Sequence, residues 1–248
     1  MKSCCGALLV SGLLDFTPTV LAATLQTKTC GATVRDGVVV ALTNRLTGES
    51  FVRPTDGRAS LAGLHRISAP VLMVRDVTES SVAGSVEQSL AWPTNAARWQ
   101  LHGAADAESG DLLITQSGEC PQKGISGISW GIADIPDSFD VLVPGCSGQQ
   151  FSAGSPGGRR EFDYPVLWEA QFVLVQGREG GFLIRAEDLN SRFKNLVVEH
   201  ARGAFRLRFE SRNLAPWEDK DHIESSRWRI SPYRGPWQSG AALYRKGI

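Results

Sequence analysis

Apolar and polar residues alternate along most of the chain with a period of two, which is typical of β-strands that bury one face. The stretch FRLRFE at residues 205–210 shows this pattern clearly. We predict that its aromatic and leucine side chains face the core. Its charged side chains, with the arginines that cluster from Arg202 to Arg212, are predicted to form the solvated outer face of strands.

The stretch VLWEAQFVLV at residues 166–175 is predicted to be one strand with two different faces. Alternation places Trp168 on a fully apolar face, which predicts that its ring belongs to the core. Glu169 and Gln171 share the opposite, less hydrophobic face, where they are available to contact a polyol. The competing interpretation of these two residues is a polar patch on an outward face with no ligand.

Other short apolar or alternating stretches, separated by turns that contain glycine, add further predicted strands. They cover residues 38–43, 71–77, 112–115, 125–132, 139–143, 182–186, 195–200 and 223–230. About a dozen short strands with no helix between them predict an all-β fold. Because this number exceeds that of an immunoglobulin-sized domain, we predict a large two-sheet antiparallel sandwich with a short C-terminal helix.

The C-terminal helix is the only one that the sequence predicts after residue 23. Pro236 suits its first turn, where a missing N–H leaves no hydrogen bond unmade. Trp237, Ala241 and Tyr244 then fall on one face at spacings of three to four residues. Because so short a helix is marginal in isolation, we expect it to fold back on the sandwich or to fray.

The N-terminal segment has the layout of a secretory signal peptide, predicted at residues 1–23. Lys2 precedes an apolar stretch that runs to Leu14, and the small residues Ala22 and Ala23 follow. The apolar stretch is too short to span a bilayer. We therefore predict a secreted or periplasmic protein whose sandwich domain covers residues 24–235; the alternatives are a buried first strand or a misassigned start codon.

Charge and composition exclude several classes of partner. Lys and Arg together number 26, as do Asp and Glu, so the formal net charge is zero. A nucleic-acid-binding protein usually carries a basic excess or stripe, and we therefore predict no nucleic-acid partner. No stretch after the N-terminal segment is long enough to cross a membrane. The stretch GSPGGRR at residues 154–160 lacks the following lysine and helix of a phosphate-binding loop and is predicted to be a flexible loop.

Cysteines and histidines give no pattern of a metal, cofactor or nucleophile site. Cys30, Cys120 and Cys146 remain after the predicted signal peptide, with no CxxC pair and no spacing suited to zinc. An odd count permits one disulfide and one free thiol, and the pairing stays open. No G-x-S-x-G motif occurs, and the histidines, at positions 65, 102, 200 and 222, stand in unrelated contexts. We predict no metal and no cofactor.

Aromatic and acidic residues give the remaining chemical signal. The acidic stretch PWEDKDH at residues 216–222 does not match a calcium loop and is predicted to be a solvated turn. Trp130 and Trp217 lie near polar residues and are expected to present exposed rings to a sugar. The candidate substrate-binding residues are therefore Trp130, Glu169, Gln171 and Trp217.

Four longer stretches carry a resemblance to a known family: VVALTNRLTGESF at residues 39–51, DIPDSFDVLVPGCSGQQF at 134–151, YPVLWEAQFVLVQGREGGFLIRAED at 164–188 and RISPYRGPWQSGAALYRKGI at 229–248. Together they resemble the N-terminal, galactose-mutarotase-like β-supersandwich region of bacterial glycoside-hydrolase-like proteins that are similar to the endo-α-N-acetylgalactosaminidase group. Members more commonly have Asp where this chain has Pro236.

In that family a (β/α)8 barrel follows the supersandwich, and the resemblance implies that the catalytic carboxylates lie in the barrel. Residues 236–248 are then the start of a linker helix toward a barrel that this chain lacks, as expected of a truncated or split gene product. The resemblance consequently assigns no catalytic residue to this chain. It implies a carbohydrate partner, and a barrel acting in cis or in trans.

Three hypotheses about function follow. The first is an exported, carbohydrate-associated supersandwich module that is non-catalytic alone and supports or lines the cleft of a catalytic barrel. The second is a free-standing carbohydrate-binding protein with an exposed aromatic platform. The third is a mutarotase-type or lyase-type enzyme on the same fold, for which His200 and Glu169 are the acid–base candidates.

Overall fold

A computed structural model describes residues 23–53 and 61–247 of the chain. The predicted signal peptide lies outside these residues except for Ala23. The first ten strands are β1 Ala23–Gln26, β2 Cys30–Arg35, β3 Val38–Asn44, β4 Glu49–Ser50, β5 Gly63–Arg66, β6 Leu72–Met73, β7 Thr78–Val82, β8 Ser85–Trp92, β9 Ala97–Ala105 and β10 Leu112–Glu119.

The second half of the chain contributes ten more strands and one helix. These elements are β11 Ile125–Pro136, β12 Asp140–Val143, β13 Gln149–Phe151, β14 Gly158–Tyr164, β15 Phe172–Gln176, β16 Gly180–Glu187, β17 Lys194–Ala201, β18 Ala204–Arg212, β19 His222–Glu224, β20 Arg227–Arg234 and α1 Trp237–Lys246. Strands dominate the described residues, which contain one helix, at the C-terminal end, and this confirms the predicted all-β class. Among the described residues, no helix has the length and apolar character needed to cross a bilayer.

The strands form two sheets that face each other as a sandwich. Sheet A has the order β1-β2-β3-β11-β18-β17-β14, with β4, β5 and β6 attached at its side. Sheet B has the order β13-β12-β15-β16-β20-β10-β9-β8-β7, with β19 paired to β10. The described strand pairs are antiparallel except for the short parallel contact between β3 and β11. This arrangement confirms the predicted large two-sheet supersandwich.

Four aromatic residues form the centre of the core between the sheets. Trp130 stacks on Phe209 with ring centroids 4.7 Å apart, and Trp228 lies 5.0 Å from Phe209. Trp168 in turn stacks on Trp228 at 6.3 Å. All four side chains are fully buried, which confirms the core prediction for Trp168 and for the inward residues of β18. Burial of aromatic rings contributes strongly to the stability of such a core.

The structure corrects the prediction that Trp130 presents an exposed ring. Trp130 is 0% exposed because the middle of β11 alternates, so that Ile128, Trp130 and Ile132 point into the core. The polar residue beside it in the sequence, Ser129, lies on the other face of the same strand. Proximity along the chain therefore misled the interpretation, since neighbouring residues of a strand face opposite ways.

The predicted strand over residues 166–175 is also wrong in its first half. The strand β15 begins only at Phe172, and the preceding residues form a turn in which the N–H of Leu167 and that of Trp168 both donate to Asp163 O. Pro165 has no N–H with which to extend the ladder of β14. Glu169 and Gln171 consequently lie in a loop and do not share the face of a strand.

Two other predicted strands are interrupted. Residues 223–230 form two strands, because Ser225 and Ser226 turn inward and their N–H groups donate to Gln116 O and to Ser211 Oγ. Within residues 71–77, only Leu72–Met73 forms a strand, paired with β5. Within residues 23–53 and 61–247, the cysteines are free thiols, with Cys30 and Cys120 buried and Cys146 exposed.

The helix α1 folds back on the outer face of sheet B, which is one of the two outcomes expected from the sequence. Tyr244 packs on Phe172 with ring centroids 4.3 Å apart. Gly240 makes the closest approach, since a Cβ at this position would lie 2.5 Å from Tyr233 Cε1. Trp237 departs from the predicted apolar face and remains 43% exposed. The helix is therefore docked through its second half.

We predict that replacement of Phe209 by alanine lowers the free energy of unfolding by about 3–5 kcal/mol, because the ring fills the space between two tryptophans. Urea titration followed by circular dichroism measures this change. The control is L214A, at a side chain that is 56% exposed, which should change stability by less than about 0.5 kcal/mol. Equal effects of the two substitutions would contradict the described core.

Candidate functional site

Polar side chains form a continuous band across the outer face of sheet A, which we call the polar band. Strand register places Ser129 opposite Glu210, Glu210 opposite Asn195, and Asn195 opposite Asp163. These residues therefore form one row across β11, β18, β17 and β14. Neighbouring positions on the same face complete the polar band with His65, Glu161, Arg208 and Arg212.

The central residues of the polar band are buried although they face away from the core. Ser129 and Asn195 are each 1% exposed, and Glu210 is 6% exposed. The segment before β5 covers part of this surface, because Ser129 Oγ donates to Leu61 O at 3.0 Å. The prediction that this stretch of β18 forms a solvated face is thus wrong at Glu210. Buried polar groups of this kind occur where they are paired or functional.

Hydrogen bonds fix the tautomer of His65. Ser129 Oγ uses its hydrogen on Leu61 O, and it lies 2.9 Å from His65 Nε2. Ser129 must therefore accept at this contact, so Nε2 carries the ring proton of neutral His65. Burial lowers the pKa of His65, the nearby Glu210 raises it, and the positive charge of Arg208 lowers it further. The imidazole is consequently neutral at pH 7.

Glu210 is the electrostatic centre of the polar band. Arg212 Nε donates to Glu210 Oε1 at 3.1 Å, and Arg212 Nη1 lies 3.1 Å from Asp163 Oδ1. His65 Nε2 lies 4.0 Å from Glu210 Oε2. The residue opposite Arg212 is Gly127, where a Cβ would lie only 2.9 Å from Glu210 Oε1. The glycine thus makes room for the carboxylate.

Three buried polar atoms of the polar band have no hydrogen-bond partner among the described residues. Asp163 Oδ1 is one of them, although it forms an ion pair with Arg212. The other two are Asn195 Oδ1, which is an acceptor, and Arg208 Nε, which is a donor. An unpaired buried group costs about 1–3 kcal/mol, which is a reason to expect that a ligand or ordered water completes it. Asn195 and Arg208 lie on adjacent strands of the same face, and Arg208 is opposite Val197, two residues along β17 from Asn195.

The structure does not bring the predicted substrate-binding residues together. Trp130 lies in the core beneath Ser129, and Glu169 is exposed in the loop before β15, where its Oε1 accepts from Ser147 N at 3.0 Å. Gln171 Nε2 donates to Tyr164 Oη at 3.4 Å in the same loop.

Trp217 is half-buried in the connection between β18 and β19. Its Nε1 donates to Asn213 O at 2.9 Å, which places it just beyond Arg212 and the end of the polar band.

The predicted acid–base pair of His200 and Glu169 is not assembled. His200 Nε2 instead lies 3.3 Å from Asp137 Oδ2, and its Nδ1 lies 3.1 Å from Ser155 O. Sequence reasoning missed the polar band because its members come from five strands. One signal was available: the stretch GISWG at residues 127–131 places only small residues on the outward face of a central strand.

A second polar surface lies on the outer face of sheet B and is the main rival site. It surrounds a groove of about 390 Å³ in which His102 Nδ1 lies 3.6 Å from Glu87 Oε1. These two side chains are 49% and 72% exposed, as expected for a solvated strand face. The polar band is the stronger candidate because its groups are withdrawn from water. Within residues 23–53 and 61–247, no group of three or more His, Cys, Asp or Glu side chains is placed to hold a metal ion.

The lowered pKa of His65 predicts a pH dependence of stability. An unfolded histidine has a pKa near 6.5, so the unfolded chain takes up a proton before folded His65 does as the pH falls. We therefore expect the free energy of unfolding to decrease below about pH 6.5. Replacement of His65 by glutamine should flatten this decrease, whereas H102Q, at an exposed position, should preserve it. Urea titrations at pH 7.5 and 5.5 measure the free energy of unfolding of each variant. An equal decrease between these two pH values in H65Q and in the wild type would contradict the prediction.

Comparisons with known proteins place the chain in a structural class. No family model and no curated protein matches it. The α-N-acetylgalactosaminidase NagBb from Bifidobacterium bifidum matches 90% of this chain with a TM-score of 0.64 and 11% identity, and the match covers 38% of that enzyme. The GH36 α-galactosidase AgaA from Geobacillus stearothermophilus matches 92% of the chain, with a TM-score of 0.57, 10% identity and 42% of its own length covered.

A galactose-mutarotase-related enzyme from Lactobacillus acidophilus is matched over nearly its whole length. It covers 86% of this chain and is itself covered to 97%, with a TM-score of 0.52 and 9% identity. The chain thus spans about two-fifths of the length of the glycosidases that it resembles, and nearly all of the mutarotase-related protein. These likenesses show that the chain has the galactose-mutarotase-like β-supersandwich fold, which confirms the resemblance in the sequence at the level of the fold.

Proposed function

We propose that this chain is an exported carbohydrate-binding supersandwich module of a glycoside-hydrolase-like protein, and that it is non-catalytic alone. In this proposal it binds a sugar at the polar band and supports or lines the cleft of a catalytic barrel. The observation that carries the proposal is the pair of unpartnered buried atoms, Asn195 Oδ1 and Arg208 Nε. Export rests on the predicted signal peptide.

The chemistry of the polar band fits a polyol better than it fits an isolated ion. A sugar hydroxyl both donates and accepts, so adjacent hydroxyls can satisfy Asn195 Oδ1 and Arg208 Nε together. The carboxylates nearby are already paired, with Asp163 bound by Arg212 and Glu161 by Arg159 at 2.5 Å. The row crosses four strands, about 15 Å at the usual strand spacing, which is long enough for more than one sugar ring.

The pairing of these carboxylates with arginine side chains supports a binding role without turnover. Glycosidases use two carboxyl groups that face each other across the scissile bond at about 5–10 Å, one of them free to give a proton. Within the polar band, Glu210 is held by Arg212 at 3.1 Å and Glu161 by Arg159 at 2.5 Å. Both carboxylates therefore act as anchors for arginine side chains in this proposal.

A catalytic domain is the proposed partner. The solved α-N-acetylgalactosaminidase and α-galactosidase that share this fold extend well beyond the matched region, since the chain covers 38% and 42% of them. A barrel that acts in cis or in trans with this chain would bring the chemistry, and the chain would contribute binding. Substrates of the α-galactoside and α-N-acetylgalactosaminide class are accordingly the first ligands to test.

We predict that R208Q weakens the binding of galactose or N-acetylgalactosamine by about tenfold, because it removes a charged hydrogen-bond donor from a buried site. Isothermal titration calorimetry measures the affinity. The matched control is R206Q on the same strand, where Arg206 Nε already pairs with Asp134 at 3.1 Å and the side chain is 36% exposed. It should change the affinity by less than about twofold, since it leaves the buried donor in place.

The absence of turnover is tested with the same ligands. Incubation of the chain with an aryl α-galactoside or α-N-acetylgalactosaminide should release no phenol, although the sugar binds. If the wild-type chain alone hydrolyses these substrates and E210Q does not, the result contradicts a purely supporting role. No saturable binding of any sugar by the wild type would contradict the proposal as a whole.

A mutarotase-type enzyme is the alternative that one observation favours. Neutral His65 carries its proton on Nε2, 4.0 Å from the Glu210 carboxylate, so that an imidazole and a carboxylate share one face of the sheet. Polarimetry of freshly dissolved α-galactose is the relevant measurement. An accelerated approach to the equilibrium mixture, reduced in both H65Q and E210Q, would replace the binding proposal with this enzyme function.

A further inference from the structure

A second groove on the outer face of sheet B lies beside the C-terminal helix. It is a groove of about 320 Å³ between α1 and the edge strand β13, which we call the helix groove. Its volume is at the lower end of the range for small-molecule sites. The side chains used below are Leu142, Gln150, Phe172, Leu174 and Trp237.

The floor of the helix groove is apolar and set by strand register. Leu142 of β12 lies opposite Leu174 of β15 on one side and opposite Gln150 of β13 on the other. These three residues therefore share the outer face of sheet B. Phe172, two residues before Leu174, extends the floor along β15.

The two walls of the helix groove differ in chemistry. Trp237 forms the wall on the helix side with an indole that is 43% exposed. Gln150 forms the opposite wall, and its Nε2 donates to Asp140 Oδ2 at 3.0 Å. This bond leaves the Gln150 carbonyl oxygen as an acceptor at the groove. An indole and an amide thus line the same groove above an apolar floor.

Contacts between α1 and sheet B form the helix side of the groove. Tyr244 packs on Phe172 at 4.3 Å, and Gly240 lies in close contact with Tyr233 and Leu174. Arg185 Nη1 donates to Leu243 O at 3.5 Å near the end of the helix. These contacts dock the middle and the end of α1, and Trp237 is the first residue of the same helix.

We propose that the helix groove is a second sugar-binding site, separate from the polar band, which takes one neutral pyranose residue. The apolar face of the ring stacks on Trp237, and its hydroxyls bond to the amide of Gln150 and the Asp140 carboxylate behind it. An indole face and a planar amide are the combination that suits a ligand with one apolar face and a polar edge. The groove lies on sheet B and the polar band on sheet A, so one chain can hold two sugar residues at once.

The test uses methyl β-galactoside and N-acetylgalactosamine as probes. The R208Q substitution weakens sugar binding at the polar band, so titrations of this variant report mainly on binding at the helix groove. In this background we expect saturable binding that W237A weakens by at least about tenfold and Q150A by severalfold. The variant W237F retains a stacking ring and should recover most of the affinity, which separates loss of stacking from loss of helix docking.

The outcomes distinguish this inference from the proposed function. If R208Q alone removes all sugar binding and W237A binds as the wild type does, the helix groove is not a sugar site although the polar band is. If W237F binds as weakly as W237A while both remain folded by circular dichroism, stacking on the ring is excluded. Binding that survives R208Q and is lost in W237A supports the second site even if the polar band proves not to bind.

Discussion

The structure depends on one constraint, which is that β11 is buried on both of its faces. Its inward residues, including Trp130, meet the aromatic core, and its outward residues, Gly127, Ser129 and Gly131, are covered as well. A strand in this position cannot shift by one residue without exchanging tryptophan for serine in the core. The register that packs the core therefore also determines where Ser129 meets Glu210 and His65.

The polar band lowers the stability of the domain, and folding alone would not require it. Desolvating Asn195 and Arg208 while leaving one atom of each unpaired lowers stability, and the aromatic core offsets this cost. Neutral His65 and the arginine-bound carboxylates are compatible with this environment because each is paired or uncharged. Sites that break the usual rules of burial in this way are where function is expected.

The features that could be predicted from the sequence are those that depend on the alternation or spacing of apolar residues within one segment. The inward side of β18 and the apolar side of α1 follow from spacing within single segments, whereas Trp168 reaches the core from a turn and not from the predicted strand. The candidate site could not be predicted in the same way, because the row from Ser129 to Asp163 is assembled by pairing between strands far apart in the chain. Trp130 was a wrong choice for the related reason that its polar neighbours in sequence lie on the opposite face.

The central claim is that a sugar completes the unpaired buried atoms of the polar band. Nuclear magnetic resonance with isotope-labelled protein tests it directly, through the side-chain signals of Asn195 and the Nε–H of Arg208 during titration with N-acetylgalactosamine. If a sugar binds there, both signals shift together and saturate with one dissociation constant, while the Arg206 signal stays in place. Unchanged Asn195 and Arg208 signals at saturating sugar would contradict it.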